Sequence, residues 1–213
     1  MKPEGINGED VILSSEQTDD ETKNKAKDKK NGKESIGKTI FEYVKVILIG
    51  ALIAVILCNF VIINAEVPTG SMIPTIEVKD RLIGLRLTYY FKSPERGDVV
   101  IFKCPEPGDN YDKLYVKRVI GLPGETIEIK EGTVWITTTD GECFELEEDY
   151  LNEIPDSDTR INNTEYVIPE GEYFMMGDNR NHSEDSRFWG TVEEDRILAK
   201  VIFRYYPDFE VIR

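Results

Sequence analysis

Histidine is almost missing: one residue, His182, in a chain of 213. That leaves little material for a histidine-based metal centre and only one imidazole to serve as a base. Cysteine is also scarce. Cys58, Cys104 and Cys143 show no C-x-x-C and no metal-ligand spacing. Cys58 falls in an apolar run, where a thiol behaves as a small hydrophobe, and a Cys104–Cys143 disulfide stays open in an oxidising compartment. Basic charge is outweighed, with 26 Lys and Arg against 41 Asp and Glu and a net charge of −15. A nucleic-acid backbone has to be neutralised by cations, so this balance excludes a nucleic-acid partner.

Aromatic and aliphatic residues are few in the first 38 positions, which are polar and carry Lys23, Lys25, Lys27, Lys29, Lys30, Lys33 and Lys38. Such a segment has too little apolar surface to offset chain entropy, so a disordered tail is expected over 1–38. From Val46 to Ala65 charge disappears altogether. Twenty helical residues span about 30 Å, the hydrocarbon thickness of a bilayer. The run is longer than a signal-peptide core and starts after more than forty residues. The reading is an uncleaved anchor helix over 39–65. Lysines before it and Glu66 after it predict a cytoplasmic N-terminus and an extracytoplasmic domain over 66–213.

That domain reads as short strands separated by turns. Residues 98–102, 115–120, 127–129 and 133–136 are rich in β-branched and aromatic types, and Lys130-Glu131-Gly132 marks a hairpin. Residues 197–205 alternate at a two-residue period. The expected fold is all-β, a barrel or folded pair of sheets, with 126–172 a smaller β insert. The acidic stretch Glu142–Asp158 reads as a solvated loop or insert, to which no chemistry is assigned. The aromatic cluster 87–92 fits either a membrane-surface contact or a core strand, and Trp135 and Trp189 read as packing residues.

Ser71 lies just beyond the apolar run, in V-P-T-G-S-M-I-P-T (67–75), and Lys117 lies in Y-V-K-R-V-I-G-L-P-G-E (115–125). On a strand Lys117 shares a face with Tyr115 and Val119, while Arg118 points the other way. A lysine held against apolar surface loses pKa. At its usual pKa only about one in 2,500 is neutral at pH 7. A lysine so tuned can deprotonate a serine. A surface-snorkelling lysine is the ordinary alternative.

Together with R-G-D-V-V-I-F (96–102) and G-D-N-R-N-H-S-E-D-S-R-F-W-G (177–190), these segments resemble the four sequence boxes of type I signal peptidases, in the family's order and behind a membrane anchor. The single anchor is most similar to the Gram-positive bacterial type. The resemblance implies a Ser–Lys dyad protease that cleaves signal peptides from exported preproteins without metal or cofactor. It makes Ser71 the nucleophile and Lys117 the general base. Thr69 would contribute to the oxyanion hole beside the Ser71 N–H. Ser183 would orient the lysine, and Asp178, Asp185 and Arg187 would support the last box. Val67 and Val116 would line pockets for small substrate side chains, and residues 65–68 could pair with an extended substrate.

The expected partners are preprotein signal peptides and the lipid bilayer, with the secretion translocon a further candidate. Three other readings compete with this one. A Ser71–His182–Asp triad is set against an exposed loop histidine, which is favoured. A catalytically silent assembly or chaperone factor at the membrane would be expected to lose the serine or the lysine, and both are present. A self-cleaving repressor would need a DNA-binding N-terminal domain, which the polar tail and apolar run replace.

Overall fold

The computed structural model describes residues 37–105, 113–156 and 164–212. The expected tail therefore lies almost wholly outside the described residues. The chain divides into two compact units, residues 1–55 and 56–213. Helix α1 runs Gly37–Val61, long and apolar enough to cross a membrane, with none of its apolar window buried by the protein. An apolar window left unburied by the protein fits a single-pass anchor. Its last turn, Leu57–Val61, is π-helical. The helix stops four residues before the expected boundary at 65. Ile62–Glu66 (β1) instead pair in antiparallel register with Arg81–Leu85 (β2), and β-branched Ile62 and Ile63 suit that ladder.

The second unit is built from antiparallel strands. The large sheet takes β1, β2, β3 (Val99–Lys103), β4 (Leu114–Gly121), β9 (Glu172–Met176), β10 (Val192–Glu193), β11 (Ile197–Tyr206) and β12 (Glu210–Val211). Its order is β1-β2-β11-β3-β4-β9-β10, with β12 added to β11. The smaller sheet, in the order β7-β6-β5-β8, uses β5 (Thr126–Lys130), β6 (Thr133–Thr137), β7 (Cys143–Glu145) and β8 (Thr164–Val167). The all-β expectation holds. The alternation read in 197–205 is visible as Ile197, Ala199 and Val201 buried while Leu198, Lys200 and Ile202 are half-buried.

Two helices of a single turn, α2 (Thr88–Phe91) and α3 (Ser186–Trp189), complete the unit. The aromatic cluster at 87–92 thus forms neither a core strand nor any other strand. Tyr89 turns inward to donate to Asp98, while Tyr90 and Phe91 stay exposed. All three cysteines are free thiols, with Cys104 buried and Cys143 exposed, so the disulfide left open is not formed.

Three apolar clusters fill the unit. One joins Met72 and Ile76 of the β1–β2 connection to Leu82, Val99, Ile101 and Val201. A second holds the small sheet against Ile120, Phe174 and Met176. The third packs Val100, Phe102, Val119 and Tyr173 beneath Trp189. The β5–β6 hairpin turns on Glu131 and Gly132, both at positive φ, as a two-residue turn of this hand requires. A Cβ on Gly132 would also lie 2.5 Å from the Pro155 carbonyl. Gly132→Ala should therefore lower stability by about 1–2 kcal/mol, read as a lower thermal midpoint.

Candidate active site

The β1–β2 connection carries Ser71. Val67 N donates to Asp80 O and Lys79 N to Val67 O, which closes the base of this loop. Met72 and Ile76 are buried in the core on either side of the serine's turn. The loop's outer face is tied to the segment after β9: Asn179 N donates to Ser71 O at 3.0 Å, and Asn179 Nδ2 to Gly70 O at 2.9 Å. Backbone on both sides of the serine is thereby held by one asparagine.

Lys117 stands in the middle of β4, paired across the ladder with Val100 of β3. It is 2 % exposed, so it is no snorkelling surface residue. Its Nζ lies 2.6 Å from Ser71 Oγ. Loss of hydration on burial is the main influence on the amine and lowers its pKa to about 8. Asp185, Asp178 and Glu184 oppose that drop, and Arg187 adds to it.

The neighbouring Arg118 leaves the strand toward other partners. Its guanidinium meets Asp178 through two bonds, 2.9 and 2.7 Å, with both side chains buried. It also donates to Gly97 O at 2.8 Å. Asp178 accepts in addition from the Thr75 hydroxyl, so the Ser71 loop, β4 and the 177–190 segment meet on one carboxylate. A buried ion pair is tolerable only when such extra bonds satisfy it. Further along, Arg96 bonds Glu125 and the Ile120 carbonyl, bracing the end of β4.

Asp185 is the second hub. It caps α3, accepts from Arg187 Nε at 2.8 Å and from Gly177 N at 3.0 Å, and accepts from the Ser183 hydroxyl at 2.7 Å. The bond found on Ser183 thus runs to Asp185, whereas the one found on the Lys117 amine runs to Ser71. Ser183 is nonetheless close to the nucleophile's loop. A Cβ built on Gly177 would sit 2.3 Å from Ser183 Oγ and 2.4 Å from the Ser71 carbonyl, so glycine alone fits between them. His182 is exposed on a short 3-10 turn, and the side chain that meets Ser71 is Lys117.

A cleft of about 360 Å³ opens beside Ser71, walled by Ala65, Val67, Pro68 and Thr69 on one side and Leu114, Tyr115 and Val116 on the other. Val67 is buried, Val116 half-buried, and Thr69 exposed toward the opening. Among the described residues, no group of His, Cys, Asp and Glu is arranged to hold a metal ion.

The family model for signal peptidase, peptidase S26, matches residues 40–206. The chain belongs to this family. A probable signal peptidase I-1 of Synechocystis is 36% identical over 172 residues, covering 79% of this chain and 83% of the relative. Signal peptidase IB of Staphylococcus aureus strain COL is 32% identical over 188 residues, covering 80% and 91%. A crystal structure of a signal peptidase I from Enterococcus faecalis is 31% identical and covers 51% of this chain and 97% of its own, with a TM-score of 0.42. As a member of the signal peptidase family the chain is a serine endopeptidase, a hydrolase.

Several site residues carry no individual signal in the sequence. Gly177 and Asn179 lie inside the 177–190 box, where residue type alone does not set them apart, and Arg118 is distinguished only by its opposite facing on β4. In the stretch 142–158, read as a solvated loop or insert, Glu148 and Tyr150 are not simply solvated. Arg180 Nη1 bonds Glu148 at 2.8 Å and its Nη2 reaches the same carboxylate, with both side chains almost fully buried. The Tyr150 ring lies under the Arg118 guanidinium at 4.1 Å, and its hydroxyl donates to Glu148. The loop therefore clamps the two arginines that brace the site. Glu148→Ala leaves the buried Arg180 charge without its carboxylate and should destabilise the fold by about 3–5 kcal/mol in thermal or denaturant unfolding, while Glu147→Ala, at an exposed position, should cost under about 0.5 kcal/mol.

Proposed function

We propose that this family member is a membrane-anchored Ser–Lys endopeptidase that removes N-terminal signal peptides from exported preproteins. The observation that carries the reading is the 2.6 Å contact between a buried amine and the Ser71 hydroxyl, beside a cleft lined in part by Ala65, Val67, Pro68 and Val116. In the reactive form Lys117 is neutral. It accepts the Ser71 proton as Oγ adds to the scissile carbonyl. The negative charge that develops on the carbonyl oxygen is met by the Ser71 N–H and the Thr69 hydroxyl. The Lys117 ammonium then returns the proton to the departing amine, and the same amine activates the water that frees the acyl group. Ser183, Asp178, Asp185 and Arg187 hold the surroundings of the amine and touch no reacting atom.

Substrate fits as an extended segment. β1 is an edge strand, and β4 pairs with β9 only from Arg118 onward, so backbone groups of β1 and of the first half of β4 border the cleft. Strand addition there would place alternate side chains against Val67 and Val116, where little room favours small ones. The anchor holds this cleft at the membrane on which preproteins arrive, with the N-terminal tail cytoplasmic and the catalytic unit on the far side. The bilayer and the translocon are the surroundings this arrangement implies. A silent assembly factor would have no use for a desolvated lysine against a serine, and that reading is not favoured.

Ser71→Ala and Lys117→Ala should each abolish cleavage of a radiolabelled preprotein by the detergent-solubilised chain while the thermal unfolding transition persists. Normal processing by either variant defeats the dyad. With wild type, kcat/KM should climb as pH rises toward about 8 and level off above it, because only the neutral amine accepts the proton. The same burial is a stability cost. The folded amine titrates near 8 against 10.5 in the free side chain, so the unfolded chain holds the extra proton between those values. The cost is complete below about 8 and fades as pH rises to 10.5. Lys117→Met should therefore be more stable than wild type at pH 6, by up to about 3 kcal/mol, with the advantage shrinking toward pH 10 in parallel denaturation curves.

A further inference from the structure

Arg118 directly follows Lys117 on β4 and faces the other way, so a hold on one steadies the strand beneath the other. All three of its guanidinium nitrogens are engaged in the plane of the group. Nε and Nη2 bond Asp178, and Nη1 bonds Gly97 O. Hydrogen bonds reach only the edge of a guanidinium, and its flat faces are left to stacking or to water. Tyr150 lies against one of those faces, with its ring centroid 4.1 Å from the guanidinium carbon.

Tyr150 belongs to the loop after β7, outside the four sequence boxes, and is itself held in place. Its hydroxyl donates to Glu148 at 2.6 Å, and Glu148 pairs with the buried Arg180. Burial first, and the Glu148 carboxylate next, push the Tyr150 phenol up, so it stays a neutral donor. The apolar cluster of the small sheet packs against the same side chain.

Beside its burial, four charged groups act on the Lys117 amine. Asp185, Asp178 and Glu184 favour the ammonium and Arg187 opposes it, all from the 177–190 segment. The neutral group facing the amine is the Ser71 hydroxyl. Asp185 finds its arginine two residues away on its own segment. Asp178 is paired across the fold, to the residue next to the lysine. Its neutralisation therefore depends on Arg118 keeping both bonds. Water admitted to an uncovered guanidinium face would compete for those N–H groups and hydrate the interior around β4. A less neutralised Asp178 and a less dry amine both favour the ammonium.

We propose that Tyr150 is a positioning residue for the reaction: its ring seals one face of Arg118 and so keeps Lys117 dry and aligned on Ser71. The proposal deepens the Ser71–Lys117 dyad reading and rests on it.

The test compares kcat/KM for preprotein cleavage by the full detergent-solubilised chain from about pH 6 to about pH 10. Wild type should rise toward about 8 and level off above it. In Tyr150→Leu the rise should move up by about half a pH unit to one, so that cleavage near pH 7 falls about three- to tenfold while the alkaline plateau changes far less. Tyr150→Phe keeps a ring on Arg118 and should keep the wild-type profile. An unmoved rise in Tyr150→Leu, or a loss by the same factor at every pH, overturns the role. So does a Tyr150→Phe profile shifted as far as that of Tyr150→Leu. If Tyr150→Leu lacks a cooperative unfolding transition, the longer side chain of Tyr150→Met is judged by the same outcomes. A failure of the dyad reads differently, as cleavage by Lys117→Ala, whereas a failure of the Tyr150 role leaves Lys117→Ala inactive.

Discussion

An amine pressed out of water against a hydroxyl is the constraint around which this unit is organised. Desolvation works against charge on Lys117, and two buried carboxylates, Asp185 and Asp178, work for it. Desolvation prevails and brings the amine down from 10.5 to about 8, while the carboxylates oppose the drop. Such a balance needs the carboxylates to be occupied elsewhere. Asp178 is taken by Arg118 and Thr75, and Asp185 by Arg187, Gly177 N and Ser183. Each neutralised hub braces the backbone near the lysine without adding a full unscreened charge to it.

The same hubs explain why distant segments converge. Residues 67–75, 96–98, 115–121 and 177–190 meet through Arg118 and Asp178, while Asn179 and Gly177 set the spacing to the Ser71 loop. The loop after β7 adds a clamp from outside, with Glu148 on Arg180 and Tyr150 on Arg118. The cleft is left at a strand edge, where backbone groups border it and Ala65, Val67, Pro68 and Val116 are among its lining residues.

Much of the fold is legible in the chain. The uncharged run, the β-branched segments, the Glu131-Gly132 turn and the alternation in 197–205 follow from local periodicity and turn chemistry, and the structure has each of them. The end of the helix is not legible, because Ile62–Ala65 are as apolar as the helix before them. Only pairing with β2 makes them a strand. The aromatic run 87–92 has the composition of a strand and forms a single helical turn, since Tyr89 is drawn to Asp98 and the rest lies exposed.

From residue types and order alone came the apolar anchor, the β architecture, the four boxes and the short roster of reactive side chains, because each depends on neighbours within a few positions. Tertiary structure decided the rest. It decided that Lys117 is buried and not snorkelling, that Ser183 bonds Asp185, and that Glu148 and Tyr150 in an unremarkable acidic loop grip the arginines. Desolvation and hydrogen-bond partnership are set by atoms tens of residues away in the chain, and no local pattern carries that information.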